Sequence, residues 1–430
     1  MKLTNIGGAT AVLEHNGKRM LFDPWMNDGI FHGAWYHFPP LNVDVEDLGR
    51  LDYVYISHIH EDHCSAGTIR RINPDAEIIL MDREPNYVAK FLQGHGFRFR
   101  KIHLVKPRTP LKLAGDLIVD IVEPDPADEM ARLIDSALVI NWDSFVVYNA
   151  NDCQPHRDGI DYIRRHYGKV DLALLPYTGG SGYPACYVNL SSEEKAAEKS
   201  RILALRLDAF VDTVRQLEPV YAMPFADQYV VAGSRSHLNR FISHPPGPGV
   251  VRDVFAHAAL EAHLLLLNSG QTFDFSSPGK VLGEPYRDVA EDDREHYIVN
   301  SLQQVRYDHE KLSFSPGVPL ERLVHHARAR LWQEQERQEC FPRFSFYLDA
   351  ADGKRRFHLP LDSPETATIP FDAPCVEPFL RITAPRDLLI MLLIGHVSWN
   401  IADAALFLDY ERVPNRYDPA LYALLNYLRI

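Results

Sequence analysis

The sequence predicts a layered α/β protein carrying a smaller α+β unit at its C-terminal end. Short apolar runs bounded by turn residues alternate with helical patterns through roughly residue 245, which is the signature of strands and helices stacked in layers. A Pro- and Gly-rich break, HPPGPGVV (244–251), follows. A new strand–turn–strand pattern begins near residue 313. At 430 residues the chain exceeds what one hydrophobic core usually organises. The reading therefore divides it into 1–245, a helical connecting region 246–312, and a C-terminal unit 313–430.

The opening, MKLTNIGGATAVLE, reads as strand, glycine turn and strand, with a hairpin at Asn16-Gly17. Residues 52–57 (DYVYIS) are a buried-strand pattern running directly into a histidine cluster. Further strands are expected at 77–81, 117–123, 137–141, 145–149 and 171–175. The longest helix is expected over 193–217. Ser191 and Glu194 form a capping box ahead of it, and Leu203, Leu207, Phe210, Val214 and Leu217 recur at spacings of four and three. In the connecting region, helices are expected over 254–267 and 292–305. Strands FSFYLDA and RRFHLPL then flank a turn at Asp352-Gly353, and helices follow around 384–394 and 419–430.

Apolar residues make up 46% and charged residues 24%, an ordinary globular profile. The balance of 45 basic against 58 acidic residues gives a formal charge of −13, without a basic run, which argues against nucleic acid and anionic membranes as partners. The five cysteines are scattered and form no CxxC pair, so no disulfide framework or zinc knuckle is expected. The start lacks signal-peptide character, and the apolar run 388–394 is too short to cross a bilayer. A cytoplasmic location is the expectation.

The strongest chemical signal is YISHIHEDH, which sets His58, His60, Asp62 and His63 within six residues of one another behind a buried strand. The chance of assembling His-x-His-x-Asp-His in a chain of this composition is on the order of a few in a thousand. Imidazoles two apart on an extended loop can converge on one metal, while the following carboxylate and histidine reach a second.

These residues resemble the metal-binding signature of the metallo-β-lactamase superfamily, and that resemblance implies a four-layer αββα sandwich. The opening GGATAVLEHNGKRMLFDPW is similar to the superfamily's first hairpin, placing Asp23 beneath the ligands. FVVYNANDC supplies Asp152 where the family has an acid shared by two metals, and YAMPFADQYVVAGSRSH supplies His237 as the last ligand. The match is strongest with the catalytic part of the CMP-N-acetylneuraminate hydroxylases, through FDPW, YISHIHEDH, NDC, the loop YTGGSGYP (177–184) and PFADQYVVAGSRSH, in matching order over about residues 20–245.

Two departures qualify what carries over. Those hydroxylases bear a Rieske domain, whose Cys-x-His and Cys-x-x-His ligand pairs have no counterpart around these cysteines, so an external electron donor is expected. The superfamily's middle histidine is also missing: its window reads EPDPADEMARLIDS. Glu129 is the first choice by spacing for a replacing carboxylate, with Glu123, Asp125 and Asp128 as alternatives. A diiron β-hydroxylase of antibiotic biosynthesis, similar in its metal site, uses a glutamate there.

A carboxylate-rich shell favours iron or manganese over zinc; two irons per chain are the expectation, with zinc or manganese as the alternative. The resulting expectation is an iron-dependent oxygenase acting on a small polar or carrier-tethered metabolite. Asp62 and Asp152 stand closest to the chemistry, and Tyr177, Gly179, Gly180 and Tyr183 are candidates for substrate contact. A zinc hydrolase, using a metal-bound hydroxide, is the alternative; a non-catalytic binding protein is the third reading. His156 and Cys64 are read as surface and core residues in preference to metal partners. His15, His103 and His166 are read as structural. The C-terminal unit is similar in outline to a sterol-carrier-type domain, but its apolar stretch 388–408 reads as core and assigns no lipid binding.

Overall fold

The computed structural model describes every residue except Asp227, Gln228, Ser277, Pro278, Asp352 and Lys354, together with the side chains of Glu129 and Met130. Two large sheets face one another. The first runs, in spatial order, Lys280–Leu282, Thr272–Asp274, Lys2–Gly7, Thr10–His15, Lys18–Phe22, Tyr53–Tyr55, Glu77–Met81 and Lys101–Val105. The second runs His263–Leu264, Tyr221–Phe225, Leu172–Pro176, Phe145–Asn149, Ala137–Trp142, Leu117–Val122 and Leu111–Lys112. Between them Leu13, Phe22 and Tyr55 of the first sheet pack on Ile121, Ile140 and Leu174 of the second.

Because both faces of these sheets are covered, the central strands are apolar throughout and do not alternate. Val54, Ile78 and Leu80 turn to the outer face of the first sheet, where Ile69 and Leu92 from short helices cover them. Val139, Ala173 and Leu175 turn to the outer face of the second, against the helices Arg157–Tyr167 and Ser192–Leu217. The result is the expected αββα order. The long helix opens on the predicted capping box, Ser191 Oγ accepting from Glu194 N at 3.1 Å and Ser191 N donating to Glu194 Oε2 at 2.7 Å.

The connecting region differs from expectation. The helix expected over 254–267 is the shorter Val251–His257, after which His263–Leu264 extends the second sheet and the hairpin Thr272–Asp274/Lys280–Leu282 extends the first. Residues 246–312 are therefore part of the sandwich as well as a link.

The C-terminal unit is a five-stranded sheet ordered Ala367–Ile369, Arg356–Pro360, Ser345–Ala350, Phe379–Ala384, Asp409–Val413, covered by helices including Leu320–Gln338 and Arg386–Leu393. The turn expected at Asp352-Gly353 falls partly outside the described residues. This unit does not stand apart. Trp25, Phe31, Trp35 and Tyr229 share one apolar cluster with Leu331, Phe346, Leu389 and Leu406. Across that boundary Trp35 Nε1 donates to Ala404 O at 2.9 Å, and Arg235 pairs with Asp409 at 2.6 Å. Among the described residues, no helix is long and apolar enough to cross a membrane.

Candidate metal centre

Four segments meet at one edge of the sandwich, each just beyond the C-terminal end of a strand: Asp23 after Lys18–Phe22, the histidine loop after Tyr53–Tyr55, Asp152 after Phe145–Asn149, and the loop from Tyr177 after Leu172–Pro176. Asp23 is fully buried and sits in a left-handed turn with φ 41°. Its Oδ1 accepts from Ser57 N at 2.7 Å, tying the start of the histidine loop to the neighbouring strand, and its Oδ2 lies 3.1 Å from His63 Nδ1.

Each cluster imidazole commits one nitrogen to a fixed partner. His58 Nδ1 meets Ser57 Oγ at 3.0 Å, His63 Nδ1 meets Asp23, and His60 Nε2 donates to Asn400 Oδ1 at 2.8 Å. The other nitrogens turn toward one another. His58 Nε2 and His60 Nδ1 stand 2.9 Å apart, and His63 Nε2 is 3.2 Å from Asp152 Oδ2 and 3.3 Å from Asp62 Oδ2. Orienting partners behind ligating imidazoles, fixing tautomer and ring plane, are what a metal site requires. Among the described residues, His58, His63 and Asp152 offer donor atoms that all lie within 4.8 Å of one another.

The cavity in front of these groups, about 220 Å³, is lined by Asp62, His63, Asp135, Asp152, Arg206 and His244, among others. Its electrostatics call for a cation. Burial, with the charge of Asp152 added, pushes the Asp135 carboxyl up to about 8. Burial opposes protonation of His63, but the carboxylates of Asp152, Asp62 and Asp23 outweigh it and raise its pKa well above the imidazole range. His58 goes the other way: burial, then His63 and His60, hold it well below that range. Asp62 Oδ1 and His244 Nδ1 are buried without a hydrogen-bond partner. Unpaired buried donor and acceptor atoms are costly. A metal ion would satisfy both and neutralise the carboxylates, so the donor set fits one.

Residues 18–224 match the family model described as the beta-lactamase superfamily domain. This segment of the chain is a β-lactamase superfamily domain. The fold and the donor set together imply a metal cofactor. A putative Rieske 2Fe-2S iron-sulfur protein of Mycobacterium tuberculosis is 30% identical over 286 residues, covering 64% of this chain and 54% of that protein. The cytidine monophosphate-N-acetylneuraminic acid hydroxylase of Mus musculus is 28% identical over 246 residues, covering 54% of this chain and 39% of the hydroxylase. The alignments thus span about half or less of these relatives' lengths. Among solved structures, a diiron β-hydroxylase from Streptomyces venezuelae superposes with a TM-score of 0.42 at 18% identity, covering 65% of this chain and 53% of that one.

Within the β-lactamase domain, His58, His60, Asp62, His63 and Asp152 come together as the sequence indicates. His237 does not join them. It is exposed on the 3-10 segment Gly233–Phe241, its Nδ1 3.1 Å from Ser234 O, while Ser236, Leu238 and Asn239 face inward. The reason is the preceding strand: Tyr229–Val231 pairs with Trp35–His37 at the margin and not with the central sheet, so the chain needs seven further residues to return to the cavity. His244 arrives there, buried, its Nε2 3.2 Å from Gly179 O and its pKa pushed down by burial to about 3. It opens the Pro- and Gly-rich segment HPPGPGVV, which the sequence marks as a break and not as a ligand position.

The middle position shows a similar displacement. The Glu129 side chain lies outside the described residues, although its backbone opens the helix Glu129–Ile134. Glu123 is paired with Arg108 at 2.7 Å, and Asp125 Oδ1 accepts from Ala127 N at 2.8 Å. Asp128 accepts from Ala131 N and lines the cavity. Asp135, at the far end of that helix, enters the cavity with Oδ1 3.9 Å from His58 Nδ1. Its one sequence signal is that it is the last acid before the buried strand Ala137–Trp142.

Gly179 and Gly180 line the cavity, whereas Tyr177 is buried beneath the loop in the apolar cluster around the long helix. Tyr183 lies farther out, donating to Glu198 Oε2 at 2.8 Å. His156 Nε2 donates to Glu123 O, Cys64 is core, and His15, His103 and His166 hold Asp143, Glu77 and the Tyr162 carbonyl respectively.

Proposed function

We propose that this chain is a non-haem diiron oxygenase that hydroxylates a small polar metabolite. The observation carrying the reading is the carboxylate-rich donor set: Asp62, Asp135 and Asp152 stand among His58, His60, His63 and His244, with Asp135 Oδ1 3.9 Å from His58 Nδ1. Hard, anionic shells favour iron and its higher oxidation states over zinc. The hydroxylase activity of the mouse relative points the same way.

In this assignment His58, His60 and Asp135 would hold one iron and Asp62, His63 and His244 the other, with Asp152 available to either. When bound, the irons would supply the redox chemistry of oxygen activation, with the overall balance R–H + O₂ + 2 e⁻ + 2 H⁺ → R–OH + H₂O. Electrons come from a partner protein. Asp23, Ser57 and Asn400 fix the imidazole rings so that little reorganisation accompanies loading. The buried walls formed by Trp25, Trp35 and Tyr229 limit water entry.

The test is metal analysis of protein from cells supplied with both iron and zinc, coupled to optical spectra after anaerobic reduction and after admitting oxygen. Two irons per chain with an oxygen-dependent spectrum support the oxygenase. Stoichiometric zinc without an oxygen response would overturn it in favour of a zinc hydrolase.

A further inference from the structure

A second and larger cavity, about 530 Å³, opens beside the metal centre, within the roughly 300–1,000 Å³ range of small-molecule sites. The two share Asp128, Gly179, Gly180 and Arg206 in their walls. The far wall belongs to the C-terminal unit and includes Trp399, Asn400, Arg412, Tyr417 and Tyr422. Asn400 both lines this cavity and holds His60, so the space reaches the metal cluster itself.

Arg206, from the long helix, stands at the junction. Among the described residues its guanidinium makes no hydrogen bond or salt bridge, and the charges that act on it are those of Asp152 and Asp128. Room for it is made by Gly179, where an added Cβ would lie 3.0 Å from Arg206 Nε. Deeper in, Arg412 is buried, and its two NH₂ groups meet the neutral Tyr422 hydroxyl at 3.0 Å and Asn415 Oδ1 at 2.8 Å. Its guanidinium lies over the rings of Tyr183 and Tyr187. Arg201, by contrast, is already paired with Glu198. Two guanidiniums in one cavity thus lack a carboxylate bonded to them. A partly buried guanidinium with no carboxylate bonded to it is costly, and its planar fork matches a carboxylate or phosphate in two parallel bonds.

We infer that the substrate is an anionic metabolite whose carboxylate or phosphate docks on Arg206, with its body lying in the tyrosine-lined cavity between the two units and its reacting carbon facing the metals. This rests on the proposed oxygenase for the reaction, but not for the anion site. The Tyr417 hydroxyl offers the polar body a hydrogen bond, the rings of Tyr183 and Tyr422 line the cavity, and Arg206 sets which end of the molecule meets the metal.

The test uses metal-loaded full-length protein and two probes, inorganic phosphate and succinate, with binding followed by calorimetry in wild type, R206Q and R206K. The expected result is binding of at least one probe by wild type, weakened tenfold or more in R206Q at unchanged metal content; the probe that responds identifies phosphate or carboxylate as the anion. R206K keeps the charge but loses the fork and falls between, and it provides the comparison if R206Q does not fold. Wild type binding neither probe at millimolar concentration would overturn the inference. So would R206Q binding both as tightly as wild type, or, with R206Q unfolded, R206K doing so, since the anions would then sit on the metal alone. Zinc in place of iron, with Arg206-dependent binding intact, removes the oxygenase and leaves the anion site standing.

Discussion

At the scale of single residues, Asp135 shows how the site's charge is held in check. An acid whose pKa is raised in the folded state binds more protons folded than unfolded. The metal-free protein therefore loses stability as pH climbs from the ordinary carboxyl range, about 4, toward the folded value of about 8. His63, raised above its ordinary value by three carboxylates, acts with the same sign: its contribution is complete below the unfolded imidazole pKa and is lost as pH rises through the folded one. A bound cation removes both penalties. The gap in melting temperature between metal-loaded and metal-free protein should widen from pH 6 to pH 8, and Asp135→Asn should narrow that widening. A wild-type gap equal at both pH values would sink this account. Asp135 lies inside the window EPDPADEMARLIDS, but spacing selects Glu129, because a linear spacing rule assumes a fixed path between strands, and here a helix of one and a half turns brings its far end, six residues on, to the cavity. The histidine loop was legible for the opposite reason, since its donors are local to one turn closed by His63 N and Cys64 N on His60 O.

At the scale of elements, what could be read was whatever buries a long, regular stripe. The strands Glu77–Met81, Phe145–Asn149 and Ala137–Trp142 are apolar on both faces and fall where the sequence places them within a residue or so. Strands of two or three residues, such as His263–Leu264 and Lys280–Leu282, are too short to express any period, so the region containing them read as helical connector. The two sheets are held mainly by the layer between them. Leu174 lies in its middle with no exposed surface, and Leu174→Ala should cost roughly 2–5 kcal/mol, from lost burial plus a cavity that rigid neighbouring strands cannot close. Urea unfolding with an unchanged slope and an earlier midpoint is the expected readout. A loss below about 1 kcal/mol would mean the layer collapses around the gap.

At the scale of the whole molecule, the C-terminal unit is part of the metal centre and not an appendage to it. Only Asn400 among the partners holding the three cluster imidazoles comes from outside the β-lactamase domain, and its Oδ1 keeps the proton on His60 Nε2 so that Nδ1 presents a lone pair beside His58 Nε2. The seam that delivers it is fixed by the shared cluster of Trp35 and Leu406 and by the bonds from Trp35 and Arg235 to the C-terminal chain. Sequence patterning could not show this coupling, because it joins residues 340 positions apart and no local period records such a contact. Asn400→Ala should weaken metal affinity about 10- to 100-fold, the usual effect of removing an orienting partner, while leaving the fold intact because the side chain is only partly buried. Asn400→Asp keeps an acceptor for Nε2–H and should recover much of the loss. Titration of metal-free protein with ferrous iron separates the cases. Affinity unchanged in Asn400→Ala would show that the loop alone orients His60, whereas a loss not recovered by aspartate would trace the effect to packing at the seam.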